Sequence, residues 1–433
     1  MSEATIPERA ELFRYIGLDI EGSSLRATYE LDDRPFVETV TFDGVGSLER
    51  PDVRLVAELW FLIAGLSYYK AGAARGVDVG GTPLGRAGEL LLAAALRDGL
   101  AEFAYRNQLP LDGVTISGGT EVAITPATLD LQRVLVPFGG GIDSVVTTAM
   151  LSDHLDMSLF IVSPFSGRFA PLEATAAATG LPIVRATRSL DRQLLDGDGR
   201  FFNGHVPITA MVTLLAAVAA VASGRGGVVM SNEHSASAPN LLWGDLEVNH
   251  QWSKSFDAEV LIALALQERL GDQLVVASSL RDRSEVWVAQ TFSGLPQYHH
   301  VFRSCNRAFA HKSELRLDTW CGECDKCLFI NLMLAPHLSR ASLREIFHHE
   351  PLSDPSRDAQ LRILVGASGG VKPFECVGDP SESAVALARV SELAEWRDVP
   401  LLSELARTAP PSLSFDELLQ PQGSSRVPAH WLR

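Results

Sequence analysis

Short, almost unbroken apolar runs alternate with helical stretches through the middle of this chain: Arg133-Val-Leu-Val-Pro-Phe, Ser158-Leu-Phe-Ile-Val-Ser-Pro-Phe, Pro182-Ile-Val-Arg-Ala-Thr and Gly227-Val-Val-Met-Ser-Asn-Glu. A strand that is apolar on both sides must be covered on both faces. The pattern therefore demands an α/β region built on a parallel sheet between helices. The 433 residues leave room for two or three domains. Before the alternation, Phe13 to Phe42 reads as two or three antiparallel strands, and Arg54–Tyr69 and Ala87–Arg106 carry helical periodicity. Residues 1–130 are thus expected to form an N-terminal α+β module, 131–330 the α/β core, and 331–433 a helical region with a loosely held tail. The apolar run Ile208–Gly224 is Ala-rich, interrupted by threonines and short for a membrane span, so it reads as a buried helix.

The first apolar strand runs directly into Gly139-Gly-Gly-Ile-Asp-Ser144 and then a helix. Glycines at a strand-to-helix turn let backbone N–H groups face an anion, and the helix N-terminus adds favourable partial charge. The spacing is neither a Walker loop nor a dinucleotide fingerprint. It resembles the Ser-Gly-Gly-x-Asp-Ser pyrophosphate loop (PP-loop) of the N-type ATP pyrophosphatases, which cleave ATP to AMP and pyrophosphate while adenylylating a substrate oxygen. Gly140, Gly141, Asp143 and Ser144 match that pattern, and Gly139 stands where the family has its first serine. The resemblance implies a HUP-like core, ATP bound by Gly139, Gly140, Gly141, Asp143 and Ser144, and Mg²⁺ bridging the phosphates. The alternative is a plain glycine turn with Ser144 capping the helix.

Four of the five cysteines, Cys305, Cys321, Cys324 and Cys327, crowd into one stretch. Thiolates at Cys-x-x-Cys spacing chelate one tetrahedral ion, so a structural Zn²⁺ is expected, the alternatives being reduced buried thiols or an iron–sulfur cluster. The arrangement resembles the zinc site of the 7-cyano-7-deazaguanine synthases, which share the pyrophosphate loop.

Five further blocks, Ser67-Tyr-Tyr-Lys70, Phe201-Phe-Asn-Gly-His-Val-Pro207, Ser231-Asn-Glu-His-Ser-Ala-Ser237, Asn249-His-Gln-Trp-Ser-Lys254 and Lys372-Pro-Phe-Glu-Cys-Val-Gly378, occur in order between about residues 13 and 400. Together with the loop and the cysteines they resemble the UDP-N-acetylmuramoyl-L-alanyl-L-glutamate epimerases of peptidoglycan synthesis. That resemblance implies ATP-dependent inversion of the terminal L-Glu of a UDP-sugar dipeptide to D-Glu, through an adenylylated carboxylate, with release of AMP and pyrophosphate. A PP-loop ligase or a nucleobase- or tRNA-modifying enzyme is the second reading, and a non-catalytic nucleotide-binding scaffold the third. With 37 Lys+Arg against 53 Asp+Glu the net charge is −16, which repels a nucleic-acid backbone and disfavours tRNA. The start of the chain shows no secretory signal, so a cytoplasmic enzyme is expected.

Candidates for moving the Cα proton are His250 and Lys254, in a polar block that otherwise reads as a binding loop, and Cys376, otherwise an inert buried thiol. Asn232 and Glu233 follow a strand at the carboxyl end where ligands bind in open α/β sheets, or else cap the next turn. His205 contacts phosphate or caps the long helix, and Lys70, beside Tyr68 and Tyr69, is expected in solvent.

Overall fold

The computed structural model describes residues 7–164, 167–195, 199–305, 307, 316, 317 and 319–432. Its strands are β1 (Leu12–Glu21), β2 (Ser24–Leu31), β3 (Arg34–Asp43), β4 (Gly76–Asp78), β5 (Thr115–Ser117), β6 (Asp130–Pro137), β7 (Asp156–Pro164), β8 (Ile183–Ser189), β9 (Arg225–Met230), β10 (Leu241–Trp243), β11 (Leu246–Val248) and β12 (Val275–Ser278). The helices are α1 (Pro51–Ala64), α2 (Leu66–Gly72), α3 (Gly85–Arg97), α4 (Ala101–Asn107), α5 (Ile142–Leu151), α6 (Ala170–Ala178), α7 (Ile208–Ala222) and α8 (Phe256–Leu270). They continue as α9 (Glu285–Ser293), α10 (Asp325–Leu334), α11 (Arg340–Phe347), α12 (Asp358–Leu364), α13 (Pro380–Glu392), α14 (Pro400–Thr408) and α15 (Phe415–Leu418).

Ten strands form one mixed, mostly parallel sheet in the order β12-β9-β6-β7-β8-β3-β2-β1-β4-β5. The apolar strands β12, β9, β6, β7 and β8 are all parallel neighbours. Numbered among themselves in chain order they run 5-4-1-2-3, so the chain progresses outward in opposite directions from β6 and β9. The connections diverge there and leave a crevice at the carboxyl ends of these two strands, where open α/β sheets bind ligands.

The N-terminal strands are not set apart from this core. β3 pairs antiparallel with β8 from Thr39↔Ser189 to Asp43↔Arg185, which joins two edges that would otherwise be exposed. Across the seam, Arg188 Nε donates to Glu38 Oε1 at 2.5 Å, with Glu38 fully buried. Helix α7, apolar almost all round, lies in the same hydrophobic core as α1 and β1–β3, which is why the Ile208–Gly224 run needs no membrane. No helix among the described residues is long and apolar enough to cross one.

Two further expectations are corrected by packing. The 54–69 helix breaks at Gly65, where a Cβ would lie 2.6 Å from the Tyr15 ring. The C-terminal tail is pinned: Trp431 is fully buried and its indole N–H donates to Leu131 O at 3.1 Å. Gly227 makes the slot, since a Cβ there would meet the same indole at 2.6 Å.

Candidate functional site

Strand β6 delivers the triple glycine to the crevice. Gly140 has φ +75°, a conformation that favours glycine. Gly141 is the N-cap of α5, and a Cβ on it would meet Ser304 Oγ at 2.7 Å. The loop is held from outside by Arg303, whose amide donates to Gly140 O at 2.9 Å. No side chain caps α5, and Ser144 Oγ instead donates back to Gly141 O at 3.1 Å, so the capping alternative for Ser144 is not what the fold uses. The first-turn amides of α5 are thereby left for an anion.

Strand β9 ends at Met230 and is followed by Ser231, Asn232 and Glu233. Asn232 is buried, and its amide donates to Ser278 Oγ at 2.7 Å. Glu233 is buried too but does not cap the short turn His234–Ser237 that follows. The buried Arg281 fixes two backbone segments at once, donating to Glu233 O at 3.0 Å and Lys254 O at 2.7 Å while paired with Glu259. Its guanidinium thus sets Glu233 and Lys254 side by side.

Asp143 joins them. Burial, then the charge of Glu233, raises its pKa to about 6 against the pull of Lys326 and Lys254. Glu285 at the start of α9 is pushed well above the carboxylate range by burial, then by Glu233 and Asp143. Lys254 moves the other way: burial lowers its pKa, but Cys376, Glu233 and Asp143 outweigh that and raise it. Asp143 Oδ1, Glu233 Oε2, Glu285 Oε2 and Lys372 Nζ are buried with no hydrogen-bond partner. Leaving such an atom unpaired costs about 1–3 kcal/mol, so carboxyl and ammonium groups gathered here make a lining suited to a polar ligand. Glu285, Lys326 and Glu382 escaped the sequence reading because they sit in first turns of separate helices with no spacing to mark them.

Glu382 allows a direct check. Its Oε2 accepts the Glu285 amide at 2.7 Å, and burial, the largest influence, raises its pKa from 4.5 to about 8. A carboxyl whose folded pKa is raised contributes stability that is complete below the unfolded pKa and is lost as pH climbs through the folded one. Urea unfolding is therefore expected to show stability falling between pH 4.5 and 8, and Glu382→Gln to flatten that fall. An unaltered pH profile in the variant contradicts the assignment.

The Lys372–Val377 segment closes the crevice. Asn240, ahead of the β10–β11 hairpin, donates to Lys372 O and Pro373 O at 3.2 and 2.8 Å and accepts the His250 amide at 2.8 Å. Gln251 donates to Val377 O at 3.0 Å, and the Lys326 amide to Glu375 Oε2 at 2.9 Å. Cys376 is thus brought to His250, with which it hydrogen-bonds. Burial alone would raise its thiol, yet Lys254, the His250 bond and Lys326 bring the pKa down to about 6. His250 rises to about 9, burial being outweighed by its bonds to Cys376 and Glu102. Beside it, at 4.3 Å between ring centroids, His205 drops to about 4 through burial and then the His250 charge. His205 does not cap α7, whose N-cap position is Pro207 and whose first turn has no side-chain cap. Lys70 is not in solvent: its Nζ donates to Asn203 Oδ1 at 3.1 Å and Gly204 O at 2.9 Å, and burial, then Arg188, lowers it to about 8.

The sulfurs of Cys305, Cys321, Cys324 and Cys327 all lie within 4.8 Å of one another. The Glu323 and Cys324 amides donate to Cys321 Sγ, each at 3.4 Å. Gly322, at φ +69°, makes the turn, and a Cβ there would strike His349 at 2.6 Å. Four thiolates cannot share this space without a cation, which is the donor set of a closed tetrahedral site. Cys305 adjoins Ser304, which packs on Gly141, and Lys326 lies between Cys324 and Cys327, so the cluster ties the glycine loop to the charged crevice.

The MurL N-terminal domain family matches residues 5–278, and the MurL C-terminal domain family residues 301–418. A protein of Salinispora tropica named UDP-N-acetyl-alpha-D-muramoyl-L-alanyl-L-glutamate epimerase is 40% identical over 386 residues, covering 87% of this chain and 82% of the relative. Proteins of the same name from Micromonospora sp. and Xanthomonas oryzae pv. oryzae are 39% and 33% identical, covering 86% and 97% of this chain and 84% and 96% of their own lengths. No solved structure matches the chain.

Proposed function

The chain belongs to the MurL family, and from that premise we propose that it inverts the terminal L-Glu of UDP-N-acetylmuramoyl-L-Ala-L-Glu to D-Glu at the expense of ATP. The observation that supports this most is the meeting, in one crevice, of an uncapped glycine-turn helix N-terminus with a thiol, an imidazole and an ammonium group.

The chemistry needs both parts. A Cα proton beside a carboxylate anion is too weakly acidic for a side-chain base. Transfer of AMP to that carboxylate removes the negative charge, and the Cα–H electron pair can then delocalise into the carbonyl. In this reading β6–β9 and β12 are a PP-loop core: Gly139–Gly141 and the α5 amides cradle the leaving pyrophosphate, and Ser144 shapes the turn. Asp143 and Glu233, with their unpaired buried oxygens, would hold Mg²⁺, which offsets the charge developing on pyrophosphate. Asn232 lines the ATP side. The Cys376 thiolate removes the Cα proton, the Lys254 ammonium returns one to the opposite face, and water cleaves the adenylate. His250 is the counter-ion of the thiolate. Zn²⁺ on Cys305, Cys321, Cys324 and Cys327 is structural. A nucleotide-sugar substrate and ATP are consistent with a cytoplasmic reaction, and the net charge of −16 weighs against the tRNA-modifying alternative.

Incubation with ATP, Mg²⁺ and the UDP-sugar dipeptide in D₂O tests the proposal. Deuterium at the glutamate Cα accompanied by AMP is the expected result. Pyrophosphate released with no solvent hydrogen entering Cα would leave a ligase-type enzyme in its place.

A further inference from the structure

We infer that Glu102, His250 and Cys376 form one proton-transfer array in which Glu102 is a positioning residue, holding His250 so that Cys376 meets the substrate as a thiolate. The inference rests on the reading of Cys376 given above and extends it to a residue that no motif marks.

Three distant parts of the chain converge to build the array. Glu102 lies in the first turn of α4 and is 5% exposed. One of its oxygens accepts from Arg106 Nε at 2.6 Å, four residues on, and the other meets His250 Nδ1 at 2.5 Å. Both oxygens are therefore committed, and the carboxylate cannot turn away from the ring. Its pKa is lowered despite burial, chiefly by the His250 bond, so it stays charged. The same imidazole hydrogen-bonds Cys376, and its backbone is fixed by Asn240.

The surrounding charges define what the array can do. Cys376 is faced by the cations Lys254, Lys326 and His250, and the Asp143 carboxyl from the first turn of α5 acts on it with the opposite sign. His250 is faced by Cys376 and Glu102, and by His205, which is neutral and adds no second cation. An imidazolium between a thiolate and a carboxylate is stable in this setting, because each of its charged neighbours favours its charge. In the reaction the thiolate forms S–H as the Cα–H bond breaks, the pair passing into the adenylylated carboxyl. His250 keeps its proton throughout, since Glu102 accepts from it. Replacing Glu102 by a neutral residue weakens the imidazolium and, through it, the thiolate.

Alkylation of Cys376 by iodoacetamide, followed peptide by peptide by mass spectrometry across pH, tests the array without any substrate. The inflection is the proper readout, because thiolate nucleophilicity falls with pKa and partly masks a change in rate at one pH. The full-length protein is expected to give an inflection near pH 6. Glu102→Gln is expected to raise it by about one pH unit or more, and Glu102→Asp to bring it partly back. In turnover, Glu102→Gln should lower kcat for deuterium incorporation and leave KM for ATP unchanged. His250→Asn must raise the same inflection, which keeps the test decisive should Glu102→Gln fold poorly. An inflection that stays put in either variant overturns the inference. A shifted inflection with no deuterium reaching Cα in the wild type supports the array and refutes the epimerase reading.

Discussion

Exchanging Asp143 for alanine is expected to cut ATP-dependent pyrophosphate release by about 10²- to 10³-fold, the effect typical of removing one preorganised electrostatic group from a transition state. The fold should not suffer. Asp143 carries a buried oxygen without a partner and a pKa raised to about 6 by burial and Glu233, so in the free protein it is an electrostatic burden. Its removal should leave the melting temperature unchanged or slightly higher, as is common when a group is kept for function at the expense of stability. Asp143→Asn, which preserves shape without charge, should lose the same activity. Pyrophosphate release and thermal unfolding measured on the same preparations decide the matter. Undiminished turnover in Asp143→Ala would move the ATP site away from the β6 turn.

Cys327→Ser should do the opposite and damage the structure first. Cys327 is fully buried among three other sulfurs, and a structural zinc of this kind contributes about 10 kcal/mol or more of apparent binding free energy in small domains. Metal content is expected to fall from about one ion per chain to near zero, together with a lowered unfolding midpoint and faster proteolysis around the cysteines. Activity should fall as well, for a geometric reason: Ser304, next to Cys305, packs on Gly141, and Lys326, between two of the cysteines, faces Asp143. Chelation of the wild-type protein should reproduce the variant. Purified wild-type protein without metal would refute the zinc assignment outright.

These two contrasts show which parts of the site could be read in advance. The triple glycine and the four cysteines are local patterns, and local patterns survive folding: the glycines make the tight turn between β6 and α5, and the Cys-x-x-Cys spacing helps bring the sulfurs within 4.8 Å of one another. The position of Asn232 and Glu233 at the carboxyl end of a parallel strand was legible from the apolar run that precedes them. Cys376, His250 and Lys254 each had two readings, and nothing in their spacing says that Asn240 and Arg281 draw the three segments together. Lys70 was misjudged for the same reason, since its partners Asn203 and Gly204 lie more than 130 positions away. Glu102 carried no signal at all: an acid in the first turn of a short helix is ordinary until the fold sets a histidine 2.5 Å from it.

The parallel core, the glycine turn that opens α5 and the gathering of four sulfurs were all legible in the sequence alone, because each depends on residues close together in the chain and on periodicities that backbone geometry imposes. Tertiary structure decided the rest. The junction of β3 with β8 made one sheet of what the sequence divides, and the slot beside Gly227 secured a tail that composition leaves loose. The charge state of Cys376 belongs to the same class, because a thiol's ionisation is set by the cations and dielectric around it, and here the cations come from residues 250, 254 and 326.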